Sequence, residues 1–446
     1  MSQIDKALQA SLPATGPLFD YLAWAHPLTH APPAIHIAAT LPLISYELTR
    51  RGFFLQAYDK NLTIWLGVVA PPASGKNTCI RWARKLSTDL YESVYGPDLA
   101  PRPWLSLDGS MQGIMAAISA RQEEQLPIIP GILYHTEAHK VFLSEEAPGT
   151  LCQIYDGEPI ERNFRYLQEE EKEGAKDRVR MKPPLMSTIL ATTQASLAPL
   201  VKREVLEGGL FSRVLWMQES TDPKTLMPQP LEDEAGYTTL VQKWQYWVRS
   251  LDGARLQGSM PAIPLSDAAR KFLEGQLFDY LRANISSESA MESGVALRSM
   301  PHAAKIAACY AASRLNFQRS APNAPLQIVI DHEDIVRAAN FVIRCFQSAM
   351  ELGGKMATRR LEIEDRRARI ESALRQAGTN GLSRRELYTL FHGAIDKRGL
   401  DGLVSELEES DLVVQSRMPS SGGRPAIRVF HANSWSIVAT KLGIKS

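Results

Sequence analysis

A lysine behind a short glycine-containing turn is the side chain of this sequence best suited to phosphate chemistry. Residues 70–78 read Ala-Pro-Pro-Ala-Ser-Gly-Lys-Asn-Thr. A phosphate loop of this type wraps backbone N–H groups around a phosphate, and its lysine ammonium bridges the phosphate oxygens. Ser74, Gly75 and Lys76 are therefore candidate nucleotide-binding residues, with ATP as the expected nucleotide. The alternative is an ordinary strand-to-helix turn that contains Ser-Gly-Lys by chance.

Two positions of this loop depart from the standard phosphate-loop motif. Ala70 stands where the first glycine is usual, and Asn77 stands where a hydroxyl usually binds Mg²⁺. The Asn77 carbonyl oxygen can ligate a hard cation, and Thr78 could serve instead through a small shift of register. Asn77 and Thr78 are thus the candidate Mg²⁺ ligands, and they complete the set of candidate nucleotide-binding residues.

Two further apolar runs end in polar residues that suit ATP hydrolysis. The run at 128–134 leads to Glu137, which could act as the general base toward a water molecule. Thr136 stands where an aspartate associated with Mg²⁺ is usual. The run at 185–192 leads to Thr193, which could hydrogen-bond the γ-phosphate or the water. In each case the alternative is a core strand with an ordinary polar end.

Arg213 follows a glycine pair in the stretch Gly-Gly-Leu-Phe-Ser-Arg at 208–213. An arginine in this position suits an arginine finger, which stabilises transition-state charge on the nucleotide of a neighbouring subunit. That role would require an oligomer with nucleotide sites at the subunit interfaces. A structural salt bridge is the competing interpretation of Arg213.

Alternating strand and helix patterns must position these residues. Apolar, β-branched runs at 61–69, 128–134, 185–192 and 210–217 are typical of buried strands, and a helical stretch covers 76–91. This alternation predicts an α/β fold with a mostly parallel sheet. We therefore expect a P-loop NTPase core of the RecA- or AAA-like kind.

Four regions follow from the change of pattern along the chain. A helical N-terminal region, with a helix at 35–50, precedes the P-loop core, and a second helical region separates the core from the C-terminal domain. The predicted boundaries of these four regions are 1–55, 56–225, 226–357 and 358–446.

The C-terminal region predicts a winged-helix domain. A helix at 361–376 is followed by Ser383 and Glu386, whose spacing predicts a capping box at the start of a short helix, and by a helix at 397–410. Apolar runs at 412–414 and 426–430 flank a glycine-rich turn and predict a hairpin. Three helices followed by a hairpin make the winged-helix arrangement.

Basic side chains of this domain are candidate contacts to DNA phosphates. A winged helix that binds another protein is the alternative. The candidate DNA-binding residues are Arg384, Arg385, Lys397, Arg398, Arg424 and Arg428.

The composition excludes several classes of protein. The formal net charge is +1, from 50 Lys and Arg against 49 Asp and Glu, so the whole-molecule charge does not predict nucleic-acid binding. The four cysteines lie far apart, which argues against a disulfide framework or a zinc site and favours a reducing compartment. No apolar run is long enough to predict a membrane span or a signal peptide. We expect a cytoplasmic protein of a bacterial host cell.

In their order along the chain, these motifs resemble those of a family of P-loop ATPases of phages, prophages and plasmids. Members of this family are associated with primase–polymerase domains and are regarded as replicative helicases. The resemblance covers roughly residues 20–350 and, in the C-terminal domain, the wing sequence Gly-Gly-Arg-Pro. It rests on Ser-Gly-Lys at 74–76, the strand before Glu137, Tyr-Asp-Gly-Glu at 155–158, Thr-Thr-Gln at 192–194, Gly-Gly-Leu-Phe-Ser-Arg at 208–213 and the helical stretch at 297–352.

The resemblance implies an ATP- and Mg²⁺-dependent helicase or translocase of a mobile genetic element. Its expected partners are single-stranded or forked DNA, further copies of the chain in an oligomer such as a hexamer, and a primase. A nucleotide-gated DNA-binding or initiator protein without turnover is the second hypothesis, favoured by Asn77 and Thr136. A structural or defence-system subunit, whose winged helix docks another protein, is the third.

Overall fold

The structure is a computed structural model of the 446-residue chain, and it falls into two compact units, Met1–Gly354 and Lys355–Ser446. The residues that it describes are 10–58, 61–121, 126–138, 147–158, 160–162, 179–197, 209–220, 232–254, 262–285, 289–315, 328–391, 395, 397–418 and 426–441.

A five-stranded sheet, parallel throughout, forms the centre of the first unit, with the strand order β3-β4-β7-β2-β8. Two short strand pairs lie outside it: β1 with β9, parallel, and β5 with β6, antiparallel. The strands of this unit are β1 Phe54–Leu55, β2 Trp65–Val69, β3 Trp104–Ser106, β4 Ile129–His135, β5 Ile160–Arg162, β6 Val179–Met181, β7 Pro184–Thr192, β8 Leu215–Gln218 and β9 Ala262–Ile263. The fold is therefore α/β with a mostly parallel sheet, as predicted.

The predicted strand at 210–217 is only half correct. Its first part is a single helical turn, Leu210–Arg213, and only Leu215–Gln218 is a strand. Gly209 precedes the turn in a left-handed conformation with φ 86°, and the Ser212 hydroxyl donates to the Gly209 carbonyl at 2.9 Å. Because glycine adopts this backbone conformation at little cost, the chain turns here before it enters the sheet.

Helices precede and follow these strands along the chain, and one of them, α2 (Pro33–Thr49), is almost wholly buried. Every residue of α2 from Ala34 to Thr49 is buried, in keeping with its mostly apolar sequence, and its polar residues include His36 and Glu47. No helix within the described ranges is long and apolar enough to cross a lipid bilayer. The helices are α1 Pro17–Ala25, α2 Pro33–Thr49, α3 Lys76–Tyr95, α4 Met111–Ser119, α5 Ala147–Asp156, α6 Gln194–Leu197, α7 Leu210–Arg213, α8 Glu234–Ala254, α9 Asp267–Phe272, α10 Phe278–Ala283, α11 Ala290–Ser313 and α12 His332–Ala377.

A buried ionic cluster joins α2 to α3. The fully buried carboxylate of Glu47 accepts from Arg50 Nε at 3.0 Å and from the Tyr91 hydroxyl at 2.5 Å, and it also pairs with Arg51. Arg51 reaches α8 as well, where its Nε lies 2.8 Å from an Asp252 carboxylate oxygen. A buried charge needs such partners, so this cluster fixes the register of three helices.

The helix predicted at 361–376 belongs to a much longer one. α12 runs without interruption for 46 residues, from His332 to Ala377. Gly353 and Gly354 lie inside it, but an interior glycine costs a helix only about 1 kcal/mol, and strong helix formers lie on both sides. The sequence predicted a new helix where the composition becomes basic, although the helical pattern itself continues.

The second unit contains a three-stranded antiparallel sheet with the order β10-β12-β11. Its core includes Leu374, Leu387, Leu400 and Val429. The predicted capping box is confirmed, since the Ser383 hydroxyl accepts from the Glu386 N–H and the Glu386 carboxylate accepts from the Ser383 N–H. The elements are β10 Leu382–Ser383, α13 Arg384–Thr389, α14 Lys397–Glu409, β11 Val413–Met418, β12 Ala426–His431 and α15 Ala432–Lys441.

Candidate functional site

The predicted site residues of the first unit meet at one edge of the parallel sheet. Because β2, β4 and β7 run in the same direction, the segments that follow them emerge at their shared carboxyl edge. They enclose a cavity of about 430 Å³. Among the residues that line this cavity are the predicted Ser74, Gly75, Lys76, Asn77, Thr78, Glu137 and Thr193. We call it the loop cavity.

The loop after β2 has a backbone that few residue types can adopt. Ala73 has φ 59° and Gly75 has φ 81°, both in the left-handed region. A Cβ atom on Gly75 would lie only 2.7 Å from the Cβ of Ala31, so the site admits no larger residue without movement. Lys76 then begins α3, a helix of 20 residues. The first N–H groups of a helix lack partners within it, and those of α3 lie at its cavity end.

The ammonium group of Lys76 is held by oxygen atoms of its own loop. Its Nζ donates to the carbonyl oxygens of Ala70 at 2.7 Å and Pro71 at 2.6 Å, and to the Ser74 hydroxyl at 3.1 Å. The side chain is buried, and burial lowers the pKa of Lys76. These oxygens occupy the positions around the ammonium that phosphate oxygens could take, so the loop fits a phosphate group.

A segment from the N-terminal part of the chain also lines the loop cavity, and the sequence did not predict that this segment would do so. Thr29 and His30 line the cavity, and His30 Nε2 lies 2.6 Å from the carbonyl oxygen of Ala73. The Thr29 hydroxyl is 2.9 Å from His36 Nε2, on the buried helix α2. His30 and Ala73 are 43 positions apart in the sequence, so no local sequence signal could have revealed this contact.

Glu137 and Thr193 follow β4 and β7, which lie on the same side of β2 in the sheet order, and both residues reach the same cavity. Glu137 is exposed, and its backbone N–H donates to His135 Nδ1 at 2.9 Å. The Thr193 hydroxyl is 2.9 Å from the Ser196 hydroxyl and accepts from the Ser196 N–H at 3.2 Å. Thr193 therefore begins α6 as its N-cap and has its oxygen fixed at the cavity wall.

The cavity offers few ligands for a metal ion held by protein alone. Within the described ranges, no group of three or more His, Cys, Asp or Glu side chains could hold a metal. Glu137 is the only carboxylate among the described lining residues, beside the Asn77 amide and the Thr78 and Thr136 hydroxyls. Mg²⁺ commonly takes one or two protein oxygens and completes its shell with phosphate oxygens and water, so this set fits Mg²⁺ bound together with a nucleotide.

Arg213 lies at the amino edge of the parallel sheet, where its strands begin, whereas the loop cavity lies at the carboxyl edge. It precedes β8, whose first residue Leu215 pairs with Leu66 near the start of β2, whereas the loop that leads to Lys76 follows the end of β2. A strand of five residues spans about 16 Å. Arg213 is therefore not among the residues that line the cavity of its own chain.

The guanidinium of Arg213 forms a salt bridge with Asp156 at 2.6 Å and donates to the Gly209 carbonyl at 3.0 Å. A second guanidinium, that of Arg298, donates to the Ser212 hydroxyl at 2.9 Å. Burial lowers the pKa of Arg298, and the neighbouring charge of Arg213 lowers it further. Two cations thus share this edge of the sheet with the carboxylate of Asp156.

The predicted DNA-binding residues of the second unit differ in their environments. Arg384 pairs with Asp401 at 2.9 Å, and Arg428 donates to the carbonyl oxygens of Asn380 and Gly381 at 2.8 and 3.0 Å. Two others, Arg385 and Lys397, are exposed. Arg424 and the side chain of Arg398 lie outside the described residues.

Compared with models of protein families and with curated proteins, the chain matches none.

Proposed function

We propose that this protein is a P-loop NTPase with a RecA- or AAA-like core that binds ATP with Mg²⁺ and hydrolyses it in the presence of DNA. The observation that carries the proposal is the loop cavity, where Lys76, Glu137 and Thr193 meet although they are far apart in sequence. The strained glycine loop, the buried lysine and the long helix behind it are the features that phosphate recognition needs.

Each residue of the loop cavity has a role in this proposal. Lys76 exchanges its loop carbonyl partners for the β- and γ-phosphate oxygens, and Ser74 orients the ammonium. Thr78 or Asn77 provides the protein oxygen for Mg²⁺, which neutralises phosphate charge when it is bound. Glu137 accepts a proton from the attacking water, and Thr193 hydrogen-bonds the γ-phosphate.

The order of the strands supports these roles. β7, which carries Thr193 at its end, lies between β2 and β4, so Thr193 reaches the cavity between the loop and Glu137. A water molecule activated by Glu137 would then have the γ-phosphate in front of it and the Thr193 hydroxyl beside it.

Arg213 acts on a neighbouring subunit in this proposal, because its own cavity lies at the other edge of the sheet. Its guanidinium, which pairs with Asp156 in the single chain, would exchange this partner for the γ-phosphate bound to the adjacent copy. This role requires a ring-shaped homo-oligomer, such as a hexamer.

The second unit acts as a winged-helix domain that holds DNA. Its strand and helix order, with α13 and α14 between β10 and the pair β11 and β12, supports this assignment. Arg385 and Lys397 are exposed and can contact phosphates, whereas Arg384 and Arg428 have internal partners. A replicative helicase or translocase of a mobile element, working beside a primase, is the function that fits both units.

ATP turnover with and without single-stranded DNA tests this proposal. The wild type should hydrolyse ATP and be stimulated by DNA, Lys76→Ala should lose nucleotide binding, and Glu137→Gln should bind ATP but turn over about 10²–10⁴ times more slowly. Lys243→Ala, which removes an exposed lysine paired with Asp20, is the matched control and should behave as wild type. Full activity in Lys76→Ala would refute the proposal.

A second candidate function is a nucleotide-binding switch without turnover. The observation that favours it is that Asn77 and Thr136 line the cavity where a metal-binding hydroxyl and an aspartate are usual. In that case the wild type and Glu137→Gln would both bind ATP with Mg²⁺ and neither would hydrolyse it, and the nucleotide would change the affinity for DNA instead.

A further inference from the structure

A second cavity, of about 250 Å³, has aromatic walls and lies beside the helix that follows the phosphate loop. Its aromatic residues are Trp24 on α1, Trp82 on α3 and Tyr237 on α8. We call it the aromatic pocket. Its remaining lining residues are charged: Lys85, Glu232, Asp233 and Glu234.

The three rings form a continuous wall. The centroid of Trp24 lies 5.0 Å from that of Trp82 and 5.3 Å from that of Tyr237, with tilted planes in both pairs. All three side chains are half-buried, so each keeps part of its surface open to the pocket. A planar ring can stack on such a wall, and stacking on aromatic side chains is a common way to bind nucleobases.

Two of the chain segments that line the aromatic pocket also lead to residues that line the loop cavity. On α3, Thr78, Trp82 and Lys85 have the spacing of one helix face, and Thr78 lines the loop cavity. With a rise of about 1.5 Å per residue, Trp82 lies about 6 Å along the helix from Thr78.

The second connection runs through the N-terminal segment. Trp24 leads through the helical turn His26–Leu28 to Thr29 and His30, which line the loop cavity. The two pockets are therefore neighbours along two separate segments. That separation is of the order that divides the phosphates of a nucleoside triphosphate from its base.

The polar rim of the aromatic pocket matches the edge of a purine. The Lys85 ammonium lies 3.9 Å from the centre of the Tyr237 ring and 2.7 Å from a carboxylate oxygen of Asp89, so a cation already covers that ring. The rim offers an ammonium donor at Lys85 and carboxylate acceptors at Glu232 and Glu234. A purine edge presents ring-nitrogen acceptors and, in adenine, an amine donor.

The same charges disfavour other ligands. Carboxylates around the rim would repel the phosphates of a DNA strand, so this wall is poorly suited to a DNA base. A cationic side chain of a partner would have to displace or approach Lys85, which already provides the cation over Tyr237.

We propose that Trp24, Trp82 and Tyr237 form the base-binding subsite of the nucleotide whose phosphates bind at Lys76. This inference rests on the proposed function and adds to it the residues that recognise the base. The base stacks on the aromatic wall, and its polar edge faces Lys85 and the carboxylates.

The test compares ATP with inorganic tripolyphosphate, which has the phosphates and lacks the base. Binding of each is measured by calorimetry to wild type, Trp82→Ala and the control Tyr246→Ala, which removes an exposed tyrosine from the same helix as Tyr237. We expect Trp82→Ala to lose about tenfold to a hundredfold in ATP affinity and to bind tripolyphosphate as the wild type does. Tyr246→Ala should leave both affinities unchanged, and Trp82→Phe should retain most of the ATP affinity.

Unchanged ATP affinity in Trp82→Ala would overturn the inference while leaving the phosphate site intact. So would a wild type that binds ATP no more tightly than tripolyphosphate. If Trp82→Ala loses both ligands, Tyr237→Leu decides by the same comparison, and equal loss of both ligands there also overturns it. A wild type that binds neither ligand would instead refute the proposed function. In contrast, we expect the Lys76→Ala variant to bind neither ligand, because it lacks the lysine of the phosphate site.

Discussion

Gly75 is the residue of the loop between β2 and α3 with the least freedom to change. Its backbone is left-handed, with φ 81°, and the space beside it is filled by Ala31. The first property follows from the loop motif, but the second does not, because Ala31 lies 44 positions away in the sequence. The glycine thus serves both the shape of the loop and its packing against the N-terminal segment.

Replacing Gly75 by Ala should weaken nucleotide binding and destabilise the protein. A left-handed alanine costs about 1–2 kcal/mol, and its Cβ would lie 2.7 Å from the Ala31 Cβ, so Ala31 and the loop must move. Urea unfolding and ATP titration measure the two effects.

Gly149→Ala is the matched control for this change. Gly149 lies inside α5, and a Cβ there would meet nothing within 4 Å. A helical Gly→Ala change of this kind is neutral or stabilising by about 0.5–1 kcal/mol. If Gly75→Ala proves as harmless as this control, the described loop geometry is wrong.

The residues of the loop cavity were predictable to the extent that their signals are local. Lys76 is marked by its own motif, and Glu137 and Thr193 are each marked by a buried strand that ends just before them. Thr29 and His30 carry no such signal, because their role comes only from the packing of the N-terminal segment over the loop.

At the level of elements, the junction between α2 and α3 depends on one buried carboxylate. Burial by itself raises the pKa of Glu47, but the guanidinium groups of Arg51 and Arg50 and the hydroxyl of Tyr91 outweigh it, and the pKa falls to about 2. A carboxyl group whose pKa is lower in the folded state stabilises the protein above its unfolded pKa. That stability is lost as the pH falls from about 4.5 to about 2.

Glu47→Gln should remove this part of the pH dependence. The free energy of unfolding of the wild type should fall between pH 4.5 and pH 2, and the Glu47→Gln variant should show a smaller fall over the same window. At neutral pH the variant should be less stable by about 3–5 kcal/mol, since the buried guanidinium of Arg51 and the half-buried one of Arg50 lose their shared partner.

Denaturant titrations at several pH values measure this difference. Glu333→Gln, which removes an exposed carboxylate paired with Arg337, is the control and should change stability by less than about 1 kcal/mol. Parallel pH profiles for wild type and Glu47→Gln would show that folding does not lower the pKa of Glu47.

Strands and helices with strong periodic patterns were predictable, and short or mixed ones were not. The runs at 128–134 and 185–192 are confirmed as β4 and β7, and the helix at 76–91 is confirmed and extends to Tyr95. β3 was missed because it has three residues, all of them only half-buried, so it carries no distinctive pattern.

At the scale of the whole molecule, the proposed role of Arg213 requires an oligomer. The loop cavity and Arg213 lie at opposite edges of one sheet, so a single chain cannot bring them together. From the sequence alone, Arg213 could be an arginine finger or part of a structural salt bridge. The salt bridge to Asp156 is present and the Arg213 side chain is only 12% exposed, so an arginine finger would have to give up this pair to reach a neighbouring subunit.

Mixed subunits test whether Arg213 acts on a neighbour. Lys76→Ala and Arg213→Ala should each lose ATP turnover alone, and a mixture should regain part of it. In the mixture, an Arg213→Ala subunit keeps its phosphate site and receives the arginine of an adjacent Lys76→Ala subunit.

Arg249→Ala, which removes an exposed arginine of α8, is the control for this experiment and should remain active without mixing. A mixture with no more activity than the two variants measured separately would assign Arg213 to a structural salt bridge.

The central claim is that the loop at Lys76 binds the phosphates of a nucleotide, and calorimetric titration of ATP with Mg²⁺ tests it most directly. We expect the wild type to bind one ATP per chain and Lys76→Ala to lose this binding while unfolding at the same denaturant concentration as the wild type. Equal binding by both proteins, or no binding by the wild type, would contradict the account.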